Sequence, residues 1–184
     1  MYQDNSLLPR EAVRLAALGI LANSPRTYAA LAAEVRNFAS RIPGPSLDLM
    51  GTSIELLRHE GLIEPAGGAD ADLTDTLFNL TEEGRTELTR LLQAQIRAPL
   101  SADSKLIVAL KFRFLHFLPL EGRRTQLAMM IEACETELAR YLDLRAQHYT
   151  EAGNLIGWLD QEIGGIEYRL DWLNEFSDNL TYPN

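Results

Sequence analysis

The 184-residue sequence predicts a mainly α-helical protein with one small β-hairpin. Apolar residues recur three and four positions apart through most of the chain, which is the spacing of a helix that buries one face. The stretch 62–80 departs from this spacing, because two short apolar runs there flank a tip rich in Gly and Asp. The last third of the chain returns to helical spacing in two long runs.

Three helical patterns come first. Pro9 suits the first turn of the first helix, where its missing N–H costs nothing. Thr27 is placed to cap the second helix, and Ser46 or Asp48 can cap the third. The predicted buried face of the third helix consists of Leu47, Met50, Ile54 and Leu57.

A hairpin and a fourth helix complete the first domain. Gly61 suits the left-handed position that follows a helix. Leu62-Ile63 and Thr76–Leu80 then predict the two strands of a wing, and Thr81 can cap the next helix. Helix, helix, helix, strand, strand, helix is the order of a winged helix-turn-helix. Residues 1–98 are therefore predicted to form a DNA-binding domain with a two-stranded wing.

The chain becomes entirely helical after Pro99, and we assign residues 99–184 to an α-helical C-terminal dimerisation domain. The patterns over residues 121–151 and 154–179 carry apolar seams that suit packing against another helix. A partner subunit is the simplest cover for so much apolar surface, so a homodimer is expected. The predicted dimerisation residues are Leu138, Tyr141, Ile156, Leu159, Ile163, Ile166, Leu170, Trp172 and Leu173.

Two adjacent glycines, Gly164 and Gly165, interrupt the last helical pattern. Glycine inside a helix costs roughly 1 kcal/mol relative to alanine, so something must compensate. Close helix packing at a dimer interface is one explanation. The other is space for a small apolar effector beside Trp158, Tyr168 and Trp172.

The net charge of −9 argues against nucleic acid as a partner. Residues 1–98 contain nine Arg, no Lys and thirteen acidic residues, so DNA affinity must come from a local cluster of arginines. The candidate contacts lie on the third helix and in the loops beside the second. They are Arg26, Arg41, Ser46, Thr52, Ser53, Arg58 and His59. The outward positions Asp48 and Glu55 oppose this assignment, because phosphates repel them.

Other classes of protein find little support. No apolar run is long enough to cross a membrane and no secretory signal is recognisable, so a cytoplasmic protein is expected. His59, His116 and His148 are far apart and Cys134 is the only cysteine, which predicts no metal site and no cofactor. The absence of a recognisable catalytic constellation argues against an enzyme.

Several motifs together resemble the PadR-like family of transcriptional regulators. Residues 17–31 (ALGILANSPRTYAAL) are similar to the family's first-helix stretch, and residues 57–63 (LRHEGLI) to its Leu-x-x-Glu-Gly-Leu-Ile run. Residues 80–85 (LTEEGR) match the start of its fourth helix. Residues 168–175 (YRLDWLNE) resemble the closing element of the subgroup with an extended, virulence-activator-like helical C-terminal domain.

The resemblance implies a homodimer that binds a palindromic operator in double-stranded DNA, most often as a repressor. In some members the C-terminal helices help to form an effector pocket. This sequence departs from the family at Gly51, where a Tyr is common, and in its acidic wing. The alternative function is a winged-helix module that binds another protein and has lost or weakened its DNA binding.

Overall fold

The computed structural model describes residues 7, 9–42, 50–66, 76–96, 104–150 and 153–180. It is mainly helical, with one small sheet, and the elements follow the predicted order. The helices are α1 (Pro9–Asn23), α2 (Tyr28–Ala39), α3 (Met50–His59), α4 (Glu82–Gln93), α5 (Lys105–Phe114), α6 (Leu120–Gln147) and α7 (Leu155–Asn179). The strands are β1 (Arg26–Thr27), β2 (Ile63–Pro65) and β3 (Leu77–Leu80).

Two threonines start helices as their positions predicted. Thr27 Oγ1 accepts a hydrogen bond from Ala30 N at 3.3 Å and caps α2. Thr81 Oγ1 accepts one from Gly84 N at 3.0 Å, and its hydroxyl also donates to Gly61 O at 2.8 Å. Thr81 therefore ties the start of α4 to the end of α3. The predicted cap of α3, Ser46 or Asp48, lies outside the described residues.

The sheet has three strands, in the order β1-β3-β2, where the sequence predicted two. β2 and β3 pair antiparallel as the expected hairpin, with Ile63 opposite Leu80. β1 adds Arg26 and Thr27 to the other side of β3. Two residues are too few to show an alternating pattern, which is why β1 was not visible in the sequence.

The chain folds into two compact units, and their division differs from the predicted boundary at residue 98. The first unit comprises residues 1–97 together with Ser101–Leu118, and the second comprises residues 98–100 and 119–184. α5 belongs to the first unit because Phe114 is fully buried against α1, where its ring lies beside Gly19. The composition changes at Pro99, but the packing changes after Leu118.

The second unit is an antiparallel pair of long helices, α6 and α7. Leu127, Met130 and Cys134 are buried on α6. The buried residues of α7 are Leu159, Ile163, Ile166 and Leu173. The seams predicted on the two helices thus face each other within one chain.

Candidate nucleic-acid interface

Helix α3 has one buried side and one exposed side. Ile54 and Leu57 are each 1% exposed and belong to the core of the first unit. Glu55, Arg58 and His59 are exposed. The apolar spacing in the sequence predicted this division, and it leaves the last turn of α3 with two outward basic groups.

Arg58 and His59 are the least engaged of the predicted DNA contacts whose side chains the structure describes. Within the described part of the chain, neither side chain makes a hydrogen bond or an ion pair. Binding an anion at either residue would therefore break no hydrogen bond or ion pair with the described part of the chain. Both lie next to the turn at Gly61, whose φ of 71° is the left-handed conformation that glycine favours.

The Arg26 side chain already makes hydrogen bonds and an ion pair with residues of the first unit. Its Nη1 donates to Ser24 Oγ at 2.6 Å and to the Pro25 carbonyl at 3.0 Å, and its Nε lies 3.5 Å from Glu34 Oε2. The side chain keeps 37% of its surface exposed. A phosphate could reach Arg26, but it would compete with Glu34.

Arg41 is exposed in the turn after α2. Its Nη1 donates to the Asn37 carbonyl at 2.8 Å, which fixes the guanidinium against the end of the helix. Arg36, which lies on the same helix and is also exposed, was not among the predicted contacts. Its charge is available on the surface of α2.

Three predicted contacts are less fully described. Ser46 lies outside the described residues. Thr52 and Ser53 lie in the first turns of α3, but their side chains are outside the description. Their positions on the helix agree with the prediction, and their contacts remain predictions.

An acidic residue sits among the basic ones on α3. Burial raises the pKa of the Tyr28 phenol, and the nearby Glu55 carboxylate raises it further. Tyr28 and Glu55 line an open groove of about 500 Å³ together with Arg58 and His59. The floor of this groove is apolar and includes Ile54. The surface around α3 therefore presents mixed charge over an apolar base.

A charge network that the sequence did not reveal lies behind α2. Arg113 of α5 donates to Glu34 at 2.6 Å, so Glu34 pairs with both Arg113 and Arg26. The Arg113 guanidinium also lies 4.7 Å from the centroid of the Phe38 ring. Arg113 lies between two phenylalanines in the sequence, but its partner in α2 is about 80 residues away, so the pair has no local signal.

The predicted dimerisation residues divide into two groups. Leu159, Ile163, Ile166 and Leu173 are at most 7% exposed within a single chain, because α6 already covers them. Leu138, Tyr141, Ile156 and Leu170 are half-buried, and Trp172 is 43% exposed. Heptad-like spacing does not distinguish packing within a chain from packing between chains.

The predicted effector-pocket residues lie on an outer face of α7. Trp158, Tyr168 and Trp172 are 50%, 76% and 43% exposed. The Trp158 ring centroid is 6.1 Å from that of Tyr141, and the Trp172 centroid is 5.5 Å from that of Phe176. These aromatics form an open surface rather than an enclosed site.

No three His, Cys, Asp or Glu side chains of the described residues gather in a way that could hold a metal ion. No helix in the described segments has both the length and the apolar character needed to cross a membrane.

Comparison with known proteins gives one broad match. A family model described as "Putative AphA-like transcriptional regulator" matches residues 2–177. No curated protein matches the chain.

Solved structures give more distant matches. PadR of Bacillus subtilis is 12% identical, with a TM-score of 0.40 over 97% of this chain and 99% of that one. The structure of that protein in complex with operator DNA is 13% identical in sequence, with a TM-score of 0.39 over 91% of this chain and 98% of that one. The PadR-like regulator BC1756 of Bacillus cereus is 15% identical in sequence, with a TM-score of 0.40 over 91% of this chain and 97% of that one.

Proposed function

Because the chain belongs to the family of AphA-like transcriptional regulators, we propose that it controls transcription by binding operator DNA through its winged unit. The resemblance to PadR-like regulators predicted from sequence motifs is confirmed, whereas the narrower virulence-activator-like subgroup stays a prediction. Transcriptional regulators are not a class of enzyme. A regulator works in the compartment that holds its operator DNA, so a cytoplasmic location is part of this proposal.

The exposed basic end of α3 is the observation that carries this proposal. Arg58 and His59 point outward from the helix that follows the turn of a winged helix-turn-helix, where major-groove contacts are made. Arg41 and Arg26 flank α2 and are placed for phosphate contacts. The overall negative charge limits non-specific binding, so affinity depends on these few groups.

We assign the protein a homodimeric state and a palindromic operator, with the second unit supplying the subunit contact. A two-fold dimer presents two α3 helices to two half-sites, so its symmetry matches that of the DNA. Operator occupancy then blocks transcription, which makes repression the simplest output. A small apolar effector near Trp158, Tyr168 and Trp172 is one way to relieve it.

Salt-dependent binding to DNA from the chain's own promoter region tests the proposal. Arg58→Ala should weaken binding several-fold and reduce the slope of log K against log salt by about one, because one phosphate contact is lost. Arg124→Ala is the matched control, since Arg124 is similarly exposed but pairs with Glu121 in the second unit. Fluorescence anisotropy at several salt concentrations gives both quantities. The proposal fails if the wild-type chain shows no salt-sensitive binding at micromolar concentration.

A second candidate function is docking of another protein on the same face. The observation that favours it is the apolar-floored groove with Glu55 on its rim. Glu55→Lys distinguishes the two functions. If α3 faces DNA, this change replaces a repulsive contact with an attractive one and tightens DNA binding several-fold. If the face docks a protein, DNA affinity stays unchanged.

A further inference from the structure

The outward side of α3 carries one apolar side chain among polar ones. Leu56 is 50% exposed, which is the highest fraction of any large apolar side chain described in the first unit. Its neighbour Leu57 is 1% exposed, and so is Ile54. The helical spacing that buries Ile54 and Leu57 thus leaves Leu56 on the surface.

The position of Leu56 around the helix follows from the turn of about 100° between consecutive residues. His59 lies almost opposite the midpoint of Ile54 and Leu57, at about 170° from it. Leu56 lies about 130° from that midpoint on one side, and Glu55 lies about 130° from it on the other. Leu56 and Glu55 therefore flank His59 on the outward side of α3.

The two flanks of His59 differ in what surrounds them. On one flank, Glu55, Arg58 and Tyr28 line the open groove of about 500 Å³. Leu56 does not line this groove. A molecule bound in the groove would cover the Glu55 flank and would leave Leu56 exposed, so the groove does not account for the exposed leucine.

The acidic residue next to Leu56 is paired within the first unit. Glu60 N donates to the Leu56 carbonyl at 2.8 Å, so Glu60 lies one helical turn after Leu56. The Glu60 carboxylate forms an ion pair with Arg14 of α1. Arg14 Nη1 also lies 3.1 Å from Glu87 Oε1 of α4. Arg14 thus holds Glu60 beside α1 and partly offsets its charge, which reduces the repulsion between this flank and phosphates.

The chemistry of leucine suits one kind of group in DNA. Its side chain has no hydrogen-bond donor or acceptor, so packing it on a phosphate or a polar base edge leaves a polar group unpaired. The 5-methyl group of thymine is the apolar group that a base presents in the major groove. Cytosine has a hydrogen at that carbon and an amino donor beside it. A leucine in contact with this position therefore favours thymine over cytosine.

We propose that Leu56 reads the 5-methyl group of a thymine in each half-site of the operator. This inference rests on the proposed function, in which the outward side of α3 enters the major groove, and it adds a sequence preference. The contact involves no charge. It therefore contributes specificity in a protein whose net charge of −9 limits electrostatic affinity.

Replacement of thymine by deoxyuridine removes the methyl group and keeps the base pair. The test uses the duplex that the full-length chain selects from random-sequence DNA, made once with thymine and once with deoxyuridine at every thymine. Fluorescence anisotropy gives the ratio of the two dissociation constants. Burying one methyl group changes affinity about fourfold, so over two half-sites this ratio should be roughly fifteen times larger for the wild-type chain than for Leu56→Ala.

Two control variants separate the methyl contact from general effects, because a single exposed leucine is common on protein surfaces. Leu77→Ala removes a similarly exposed leucine, at 46%, from β3 and should keep the wild-type ratio. Arg58→Ala should weaken binding to both duplexes by the same factor, since a phosphate contact carries no sequence information. The melting temperature of Leu56→Ala should stay near the wild-type value, because half of its side chain is already exposed.

Parallel selections from random-sequence DNA locate the thymine. The wild-type chain should select thymine at one equivalent position in each half-site, and Leu56→Ala should lose that preference while the other positions keep theirs. If the chain binds DNA with salt dependence but Leu56→Ala keeps the wild-type ratio and the thymine preference, the role of Leu56 is overturned and the DNA-binding proposal stands. A chain that selects no duplex and shows no salt-sensitive binding overturns both.

Discussion

At the scale of the residue, the least expected group is the buried lysine of α5. Lys111 is fully buried, and its Nζ donates to the carbonyls of Leu92 at 2.7 Å and Ala94 at 2.5 Å. These carbonyls end α4 and have no partner within the helix, so the lysine supplies the donor that they need. Burial lowers the pKa of Lys111 to about 7.

Lys111 predicts a dependence of stability on pH. Its pKa is about 7 when folded and near 10.5 when unfolded, so the unfolded chain binds more protons between these values. The free energy of unfolding should therefore rise with pH above 7, by at most about 1.4 kcal/mol per pH unit from this group. Below pH 7 the contribution is constant.

Lys111→Met isolates this effect. The variant loses two hydrogen bonds to buried carbonyls, which costs about 1–3 kcal/mol, and it should also lose the rise with pH. Urea unfolding of both proteins at pH 7 and pH 9 gives the comparison. If the free energy of unfolding changes equally in the two proteins between pH 7 and pH 9, Lys111 is not the cause of the rise.

Residues whose role depends on their neighbours in the chain were predictable from the sequence. Thr27, Thr81 and Gly61 were found because caps and left-handed turns depend on residues next to them in the chain. Lys111 and Glu34 were not found, because their partners come from distant segments that only the folded chain brings together. The DNA contacts assigned to Ser46, Thr52 and Ser53 remain predictions.

At the scale of the element, the start of α4 is packed against the strand region before it. Gly84 lies in the first turn, and its missing Cβ leaves room for the Leu62 carbonyl and the Leu80 side chain. The Leu62 carbonyl also accepts a hydrogen bond from Thr81 N at 3.1 Å. The sheet and α4 are thus fixed to each other by backbone contacts.

Gly84→Ala should destabilise the protein by several kcal/mol, because the added methyl overlaps a backbone carbonyl that cannot move without breaking this contact. Gly164→Ala is the opposite case. No atom crowds that position, so alanine should raise stability by roughly 0.5–1 kcal/mol through helix propensity. Relative to the wild-type chain, the melting temperature should fall for Gly84→Ala and rise for Gly164→Ala.

The helices were largely predictable as elements, but their partners were not. Apolar spacing gave α3 its buried side, and Ile54 and Leu57 confirm it. The same spacing on α7 was assigned to a second subunit, whereas Ile163 and Ile166 are covered by α6 of the same chain. An apolar seam indicates that a helix packs against another helix, but it does not indicate whether that helix belongs to the same chain or to a second subunit.

At the scale of the whole molecule, the first unit ends at Leu118 because α5 packs into its core. Leu106, Ile107, Leu110 and Phe114 are all at most 6% exposed. A fragment of residues 1–98 would lack these side chains and would expose the part of α1 that packs against them.

A fragment of residues 1–118 should therefore unfold cooperatively, whereas a fragment of residues 1–98 should be poorly folded or aggregate. Circular dichroism during heating, together with the dispersion of amide proton signals, gives the comparison. Equal stability of the two fragments would place the boundary at residue 98, where the composition changes.

The order of strands in the small sheet has a consequence for the solubility of the protein. β3 is the longest of the described strands and lies between β1 and β2, and β1 pairs with its Leu77 and Phe78 on the side away from β2. The outer strands are two and three residues long, and β2 ends at Pro65, which has no N–H to offer. Such short edges are poor templates for pairing with a neighbouring molecule. We therefore expect the pairing of Arg26 and Thr27 with β3 to disfavour edge-to-edge association of the wing.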